Sequence, residues 1–451
     1  NFSKNKWKLK IYNYTQIFKK SKPCPIITML DIKLIRENPD LVKKNLEKRN
    51  SDTMIVDNLL QLDKQFREEK KELDNLKSKK NTQSKKISEA KKSGGDISSQ
   101  LSVVKQISEE ITQKESHISE LESKRDEILT KIPNLLDEEV PVGEDDDENV
   151  PIRFHLEKPQ FDFEPRTHSE LCELNNWYDL ETASKNSGAR FYYLKGELVQ
   201  LQLALYMYTM NKLSLKGYVP VEVPPMLRRD SIGKSICLDD FEEVIYKIED
   251  EDLYLIGTSE HALAVMHRDE LLNHKELPKK YAGISPCFRK EAGVTKDSKG
   301  IFRVHNFNKI EQFVFSKPEE SDKIHEEITQ NAEEIFKDLE LHYQIVDICT
   351  GDIGSFASRK YDLEAWLPGQ KRYREMVSAS NYRDYGARRL NCRYQDVDNQ
   401  IKHVHTLNST AIALTRTIIA IIEQHQTKEG NVKIPEVLRP YFGNRDYLIQ
   451  N

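Results

Sequence analysis

Only six cysteines occur in the 451 residues, at Cys24, Cys172, Cys237, Cys287, Cys349 and Cys392, and no two are close enough to form a CxxC pair. That spacing excludes a zinc ribbon and a disulfide framework, and it is the usage of a reducing compartment. Long apolar runs are also missing. The nearest approach, 411–422, carries Thr415, Arg416 and Thr417 in its middle, so no stretch reads as a membrane span. Neither GxGxxG nor GxxxxGK[ST] is present, which removes the two common glycine-rich nucleotide loops, and there is no HExxH zinc motif. Nor is there a large excess of one charge sign. With 69 basic against 74 acidic residues the net charge is −5, so any nucleic-acid contact must come from a local patch.

The length and the 52.6 kDa mass are enough for two to four domains with a sizeable core. Hydrophobic residues make up 37% and charged residues 32%, and the mean hydropathy of −0.69 points to an unusually charged segment beside a normally patterned globular part. Residues 1–28 hold seven lysines and no acid, with Trp7, Leu9, Ile11, Ile17 and Phe18 among them. A basic targeting peptide and a dispensable extension both fit that composition, so organellar import stays open beside a cytoplasmic location. A secretory signal does not fit, because no compact apolar stretch follows.

From Val56 to Lys131 apolar residues recur at heptad-like spacing: Leu59, Leu62, Phe66, Leu73, Leu76 and Ile87, then Val104, Ile107, Ile111, Ile118, Leu121 and Ile128. Such a stripe is buried only by a facing helix. The breaker Lys91-Lys92-Ser93-Gly94-Gly95-Asp96 between the two runs predicts a long antiparallel coiled-coil hairpin rather than one rod. Glu69, Lys80, Gln83, Lys114 and Arg125 interrupt the stripe and are expected to weaken the seam, as in an arm exposed to solvent. Residues 64–92 carry eleven basic and five acidic side chains, net +6, whereas 96–131 is net −3. A solvated coiled coil, a phosphate-tracking arm and a protein-docking arm are each consistent with that asymmetry.

Pro133 ends the second helix, and the acidic stretch 137–148 reads as a solvated joint. The expected division is a basic extension 1–28, a helical arm domain 29–135, an acidic linker 136–165 and a compact domain 166–451. Within the compact domain, helical spacing covers 197–215, 259–267, 319–341 and 412–426. Short strands are predicted at 191–194, 217–225, 254–256, 281–288, 306–315, 343–348, 360–365 and 373–378. Strands joined by turns without βαβ alternation predict an α+β domain on a mainly antiparallel sheet.

Five separated elements then agree in order. They are the segment 217–225; Thr258-Ser259-Glu260; Phe288-Arg289-Lys290-Glu291-Ala292-Gly293; Arg303-Val304-His305-Asn306-Phe307-Asn308-Lys309-Ile310-Glu311; and Leu407-Asn408-Ser409-Thr410 followed by Arg416. Together with the hairpin they resemble the seryl-tRNA synthetases of class II, from about Met29 onward. The resemblance implies the class II catalytic fold, activation of L-serine by ATP with nucleotide-associated Mg2+, and no structural zinc. It further implies transfer to tRNA(Ser), held by the arm and approached at its acceptor end, and a homodimer built on the 217–225 segment.

Taken alone, Arg289 reads as a buried ion-pair partner of Glu291. The resemblance instead implies that it meets the ATP α-phosphate and the serine carboxylate, where a fixed guanidinium stabilises charge gathering on a pentacoordinate phosphorus. Glu291, Arg303 and the backbone at Val304 are implied to place the nucleotide. Phe307 and Arg416, which equally suit a core ring and a helix brace, are implied to cover the two faces of adenine. Arg289, Glu291 and Arg416 are thus the implied catalytic groups, and no side chain stands out as a covalent nucleophile or general base. Glu375 and Ser378 are implied to hold Mg2+ and ATP; three apart on a regular strand they point to opposite faces, so a bulge or bend is required.

The implied serine set is Thr258 and Glu260 at the ammonium, Arg289 at the carboxylate, Glu311 with Thr410 at the side-chain hydroxyl, and Asn408. A glutamate accepting the serine O–H makes alanine leave a buried polar group unpaired. The plain alternative makes Glu311 a surface partner of Lys309. The polar, glycine-flanked stretch 293–300 is implied to approach the acceptor end, although a surface turn has the same composition.

Four positions depart from the family pattern. Ser378-Ala379-Ser380-Asn381-Tyr382 stands where Ser-Cys-Ser-Asn-Cys is frequent, Gly386 where glutamine is frequent, and Thr415 where many bacterial members have glycine. The first disfavours a cysteine-dependent role, and Thr415 resembles eukaryotic cytosolic members. The cysteine cluster of the zinc-dependent archaeal branch is not seen. Readings from other classes are a seryl-adenylate former that loads a carrier protein, which would not require the arm, and a noncatalytic coiled-coil adaptor, which would not require the nucleotide set. A related synthetase for another amino acid is disfavoured by the serine pocket.

Overall fold

The computed structural model describes residues 29–92, 96–235, 244–291 and 299–449. The extension 1–28, most of the 293–300 stretch and the centre of the hairpin breaker lie outside the described residues. Two short helices, α1 (Ile32–Glu37) and α2 (Pro39–Lys48), lead into α3 (Met54–Lys92), and α4 (Ser98–Lys131) follows. The Asp31 side chain caps α1 by accepting from the Lys33 amide, and α2 opens on Pro39, where a missing N–H leaves no hydrogen bond unmade.

The two long helices pack antiparallel. Lys114 reaches Glu69 at 2.6 Å and also Glu72, Lys77 pairs with Glu115 at 2.8 Å, and the Arg125 guanidinium lies 4.4 Å over the Phe66 ring. The polar interruptions at Lys114 and Arg125, expected to weaken the seam, therefore close it. Each is a long side chain whose charge meets a carboxylate or a ring. Asp63 is fully buried near the foot of α3 and takes two bonds of 2.7 Å from Arg36 and one of 3.0 Å from Arg67.

Eight strands build one sheet: β1 (Val150–His155), β2 (Val219–Glu222), β3 (Lys279–Phe288), β4 (Asn306–Ser316), β5 (Tyr343–Asp347), β6 (Arg359–Leu367), β7 (Arg372–Asn381) and β8 (His405–Ala413). Their order is β1-β5-β6-β7-β8-β4-β3-β2, and every pairing is antiparallel except β2 with β3 at the edge. The fold is thus α+β on a mainly antiparallel sheet. Sequence patterning missed β1 and β8. The first is an edge strand with little burial and the second is buried on both faces, so neither alternates with period two.

Five further helices complete the part that positions the site: α5 (Glu197–Leu215), α6 (Ser259–Ala264), α7 (Ser321–Asp338), α8 (Tyr385–Leu390) and α9 (Leu414–Gln424). Leu201 and Leu205 of α5, Ile328 and Ile335 of α7, and Ile418 and Ile422 of α9 share a core with Ile310, Val314, Leu363 and Leu407 of the sheet. On β4 the even-numbered side faces α7, where the Gln312 amide donates to the Ile328 carbonyl at 3.0 Å and accepts from Asn331 at 2.8 Å. Phe307, Lys309 and Glu311 alternate with that side and line a cleft.

The helical part is fastened to the sheet domain near the same cleft. The Tyr385 hydroxyl of α8 donates to the Ile132 carbonyl at 2.9 Å, and its ring joins Ile35, Val42 and Leu129 in one cluster. Arg49 donates to the carbonyls of Gly354 and Ala357, in a loop that also lines the cleft. Among the described residues no helix is long and apolar enough to cross a membrane.

Candidate active site

The last residue pair of β3 and β4 is Phe288 with Asn306, and beyond it the Arg289 N–H still donates to the His305 carbonyl at 2.9 Å. This continued ladder holds Arg289 at the cleft, with its guanidinium 5.2 Å over the Phe307 ring. Glu291 follows at a φ of 49°, a left-handed conformation that costs a non-glycine residue energy, and its carboxylate lies 3.7 Å from Arg303. The ion-pair partner of Glu291 is thus Arg303, while Arg289 sits against the aromatic ring.

At one end of the cleft two carboxylates stand side by side. The Thr258 hydroxyl caps α6 by accepting from the Glu260 N–H at 3.3 Å, which places Glu260 in the first helical turn. Asn408 of β8 bridges the pair, its Nδ2 donating to Glu260 Oε2 at 3.0 Å and to Glu311 Oε1 at 2.8 Å. The Thr410 hydroxyl donates to Glu311 Oε2 at 3.2 Å, and the Lys309 ammonium pairs with the same oxygen. The Lys309–Glu311 pair therefore exists, but both side chains are buried rather than on the surface. The Tyr382 phenol donates to Glu260 Oε1 at 2.7 Å. Burial and the neighbouring Glu311 charge push the Glu260 carboxyl up to about 7.

The other end is built by β6 and β7. Leu363 pairs with Val377 but Glu364 pairs with Glu375, so Met376 is an extra residue on β7. This is the bulge that the spacing of Glu375 and Ser378 demanded, and both residues line the same cleft. Ser378 hydrogen-bonds the buried Asp362, whose carboxyl burial pushes up to about 7. Arg416 pairs with the Glu375 carboxylate at 3.2 Å, donates to its carbonyl at 2.9 Å, and lies 4.7 Å over the Phe302 ring. The Glu375 side chain is about half exposed at the cleft; desolvation there raises its carboxyl, but the charges of Arg416, Lys360 and Arg289 outweigh it and hold the group at about 2.

Every residue nominated from the sequence lies in one of two adjoining cavities. A cleft of about 670 Å³ is lined by Thr258, Glu260, Arg289, Glu291, Arg303, Glu311, Glu375, Ser378, Asn408 and Thr410. A recess lined by Val304, Phe307 and Arg416 continues from it and shares Arg289, Glu291, Glu375 and Thr410. Lys309, Lys360, Asp362 and Tyr382 were not nominated. Lys309 carried a signal, since it shares one strand face with Phe307 and Glu311. Tyr382 carried none, because its partner Glu260 is 122 residues away.

Two family models match the chain: the seryl-tRNA synthetase N-terminal domain over residues 29–136, and the tRNA synthetase class II core domain (G, H, P, S and T) over residues 245–425. Serine–tRNA ligase of Thermococcus onnurineus is 50% identical over 444 residues, which cover 93% of this chain and 97% of that protein. The crystal structure of seryl-tRNA synthetase from Pyrococcus horikoshii complexed with ATP has a TM-score of 0.89 at 47% identity, covering 94% of this chain and 100% of that one. Cytoplasmic serine-tRNA ligase from Naegleria fowleri in complex with AMP has a TM-score of 0.84 at 35% identity, covering 94% and 99%. Identity of this order along nearly the whole chain, together with four of the five distant sequence elements gathered in two adjoining cavities, makes the chain a member of the seryl-tRNA synthetase family of class II.

Proposed function

We infer that the chain activates L-serine with ATP to give seryl-adenylate and transfers the seryl group to the 3′ end of tRNA(Ser). The observation that carries this reading is the pair of carboxylates, Glu260 and Glu311, bridged by Asn408 in a cleft that also holds Arg289 and Glu375. One carboxylate suits an ammonium, the other a hydroxyl, and the guanidinium suits a carboxylate and a phosphate.

In this reading the serine ammonium meets Glu260 beside Thr258, and the serine hydroxyl donates to Glu311 near Thr410. Glu311 Oε2 already takes Thr410 and Lys309, whereas Oε1 takes only Asn408, so Oε1 is the oxygen that receives the serine O–H. Arg289 joins the serine carboxylate to the ATP α-phosphate. Phe307 and Arg416 cover adenine, and Glu291, Arg303 and the Val304 backbone place the nucleotide. A serine carboxylate oxygen attacks the α-phosphorus and the bond to pyrophosphate breaks. Charge gathers on the phosphoryl oxygens in that step, so a preorganised guanidinium stabilises the transition state more than the ground state. The terminal adenosine 3′-hydroxyl of the tRNA then attacks the acyl carbon, and AMP leaves.

Glu375 and Ser378 fit Mg2+ held jointly with ATP. Glu375 stays ionised, Ser378 can donate to Asp362 and keep lone pairs for a cation, and the described residues hold no group of three or more ligands suited to a metal. When bound, the ion screens phosphate charge.

The proposed division is 29–135 for the arm domain, 136–165 for the linker and 166–451 for the catalytic domain, with 1–28 a basic extension. The helical hairpin is the coiled-coil arm in this reading, taking tRNA(Ser) by its shape and through the +6 excess of 64–92. A homodimer is supported by Val199, Leu203 and Met207, which form an exposed stripe on α5, and by exposed Val219 on the edge strand β2. The cytoplasmic relative from Naegleria supports a cytoplasmic location, and no membrane enters the reading.

ATP–pyrophosphate exchange with separate amino acids, followed by aminoacylation of total tRNA, tests the function. Serine-dependent exchange and charging of tRNA(Ser) are expected. Exchange without charging would favour loading of a carrier protein, and neither activity in folded, metal-replete protein would favour an adaptor.

A further inference from the structure

Tyr382 follows β7 directly and touches two parts of the molecule at once. Its carbonyl accepts from the Asn134 side-chain amide at 2.9 Å, and the same amide donates to the Phe356 carbonyl at 2.8 Å. Asn134 is buried just beyond α4, at the joint of the helical part with the sheet domain. The Tyr382 N–H donates to the Thr406 carbonyl at 3.0 Å, and the ring meets Phe356 edge-on. At the far end of the side chain the phenol donates to Glu260 Oε1 at 2.7 Å.

We propose that Tyr382 is a positioning residue for the amino group of serine: the joint carrying the helical hairpin holds its main chain, and its phenol holds Glu260. The proposal rests on the assignment of Glu260 to the ammonium. A glutamate on the first turn of a short helix has several torsions open to it, and donors from two different elements remove that freedom. Asn408 fixes Oε2 and Tyr382 fixes Oε1. The other charged groups acting on Glu260 are Glu311 and Lys309 from β4 and Arg289 beyond β3, while His261 on its own helix lines the same cleft and is kept neutral by burial. Against the Glu311 charge, the phenol donor is one of the contacts that favour the ionised carboxyl.

Tyr382→Phe removes only the hydroxyl. In ATP–pyrophosphate exchange it is expected to raise the KM for serine about tenfold with kcat changed less than about twofold, the loss of one charge-assisted hydrogen bond. The acid limb of kcat/KM for serine is expected to move to higher pH, because the carboxylate loses a donor, and a purely structural tyrosine would not move it. Unchanged KM and an unmoved limb overturn the proposal. Glu260→Gln is measured in parallel: a wild-type KM for serine there removes the ammonium assignment itself, whereas a raised KM in Glu260→Gln with none in Tyr382→Phe removes only the role of Tyr382. Asn134→Ala leaves the phenol in place and is expected to raise the KM for serine by a smaller factor. A wild-type KM in folded Asn134→Ala detaches the joint from the proposal.

Discussion

In the proposed reading Glu311 sets what the pocket rejects. In Glu311→Ala the partner of the serine hydroxyl disappears while space remains, so serine activation is expected to fall. Preference over alanine, which such a contact can raise to about 10⁴ to 10⁵, is expected to shrink with it, read as the ratio of kcat/KM for the two amino acids in exchange. Arg289→Ala acts on the chemistry and is expected to slow adenylate formation by on the order of 10² or more. Single-turnover formation of labelled seryl-adenylate reads this without interference from product release, and near wild-type rates would remove the residue's role. Glu260 brings a pH dependence. Its carboxyl is raised from an ordinary 4.5 to about 7, so in the free enzyme it gains a proton as pH falls through that value and loses the charge proposed to take the ammonium. The kcat/KM for serine is expected to fall about tenfold per pH unit below the limb. At saturating serine kcat is expected to fall less, since the bound ammonium favours the ionised form. A limb near 4.5 would show that neither burial nor the Glu311 charge raises the group.

In the proposed reading the hairpin is the element whose loss separates the two half-reactions. Every nominated cleft residue lies at or beyond Thr258, and the anchors at Asn134 and Tyr385 lie outside the arms. Deleting 66–128 with a short closure is therefore expected to leave serine-dependent exchange largely intact while kcat/KM for charging tRNA(Ser) drops sharply. The remaining charging is expected to be less sensitive to salt, because the cationic α3 face is gone. Equal charging by both forms at low tRNA concentration, with folding and dimerisation verified, would leave the hairpin as a structural appendage. The helices themselves were legible because a stripe of period near 3.5 reports a facing helix wherever it occurs. The closure of the seam by Lys114 and Arg125 was not, since the carboxylates and the ring they meet are chosen by the register between α3 and α4.

For the molecule as a whole, the exposed stripe Val199, Leu203 and Met207 with the β2 edge predicts a symmetric dimer, with a solution mass twice the 52.6 kDa of one chain. Light scattering reads it directly; a mass near one chain, well above assay concentrations, would reject it, and Leu203→Glu with Met207→Glu is expected to shift the mass downward. The sequence by itself determined the chemical types in the cleft and most of the elements, though not the strands β1 and β8. Helix α5 spans the residues its spacing predicted, and the need for a bulge or bend between Glu375 and Ser378 followed from strand period. Only the tertiary structure decided where Met376 bulges, that Asn408 bridges two carboxylates, that the Lys309–Glu311 pair is buried, and that Tyr382 reaches Glu260. The reason is physical. Periodicity records which face of a strand or helix is buried, whereas contacts between residues a hundred positions apart, and the protonation states that follow from burying them together, depend on the order and register of eight strands drawn from the chain between Val150 and Ala413.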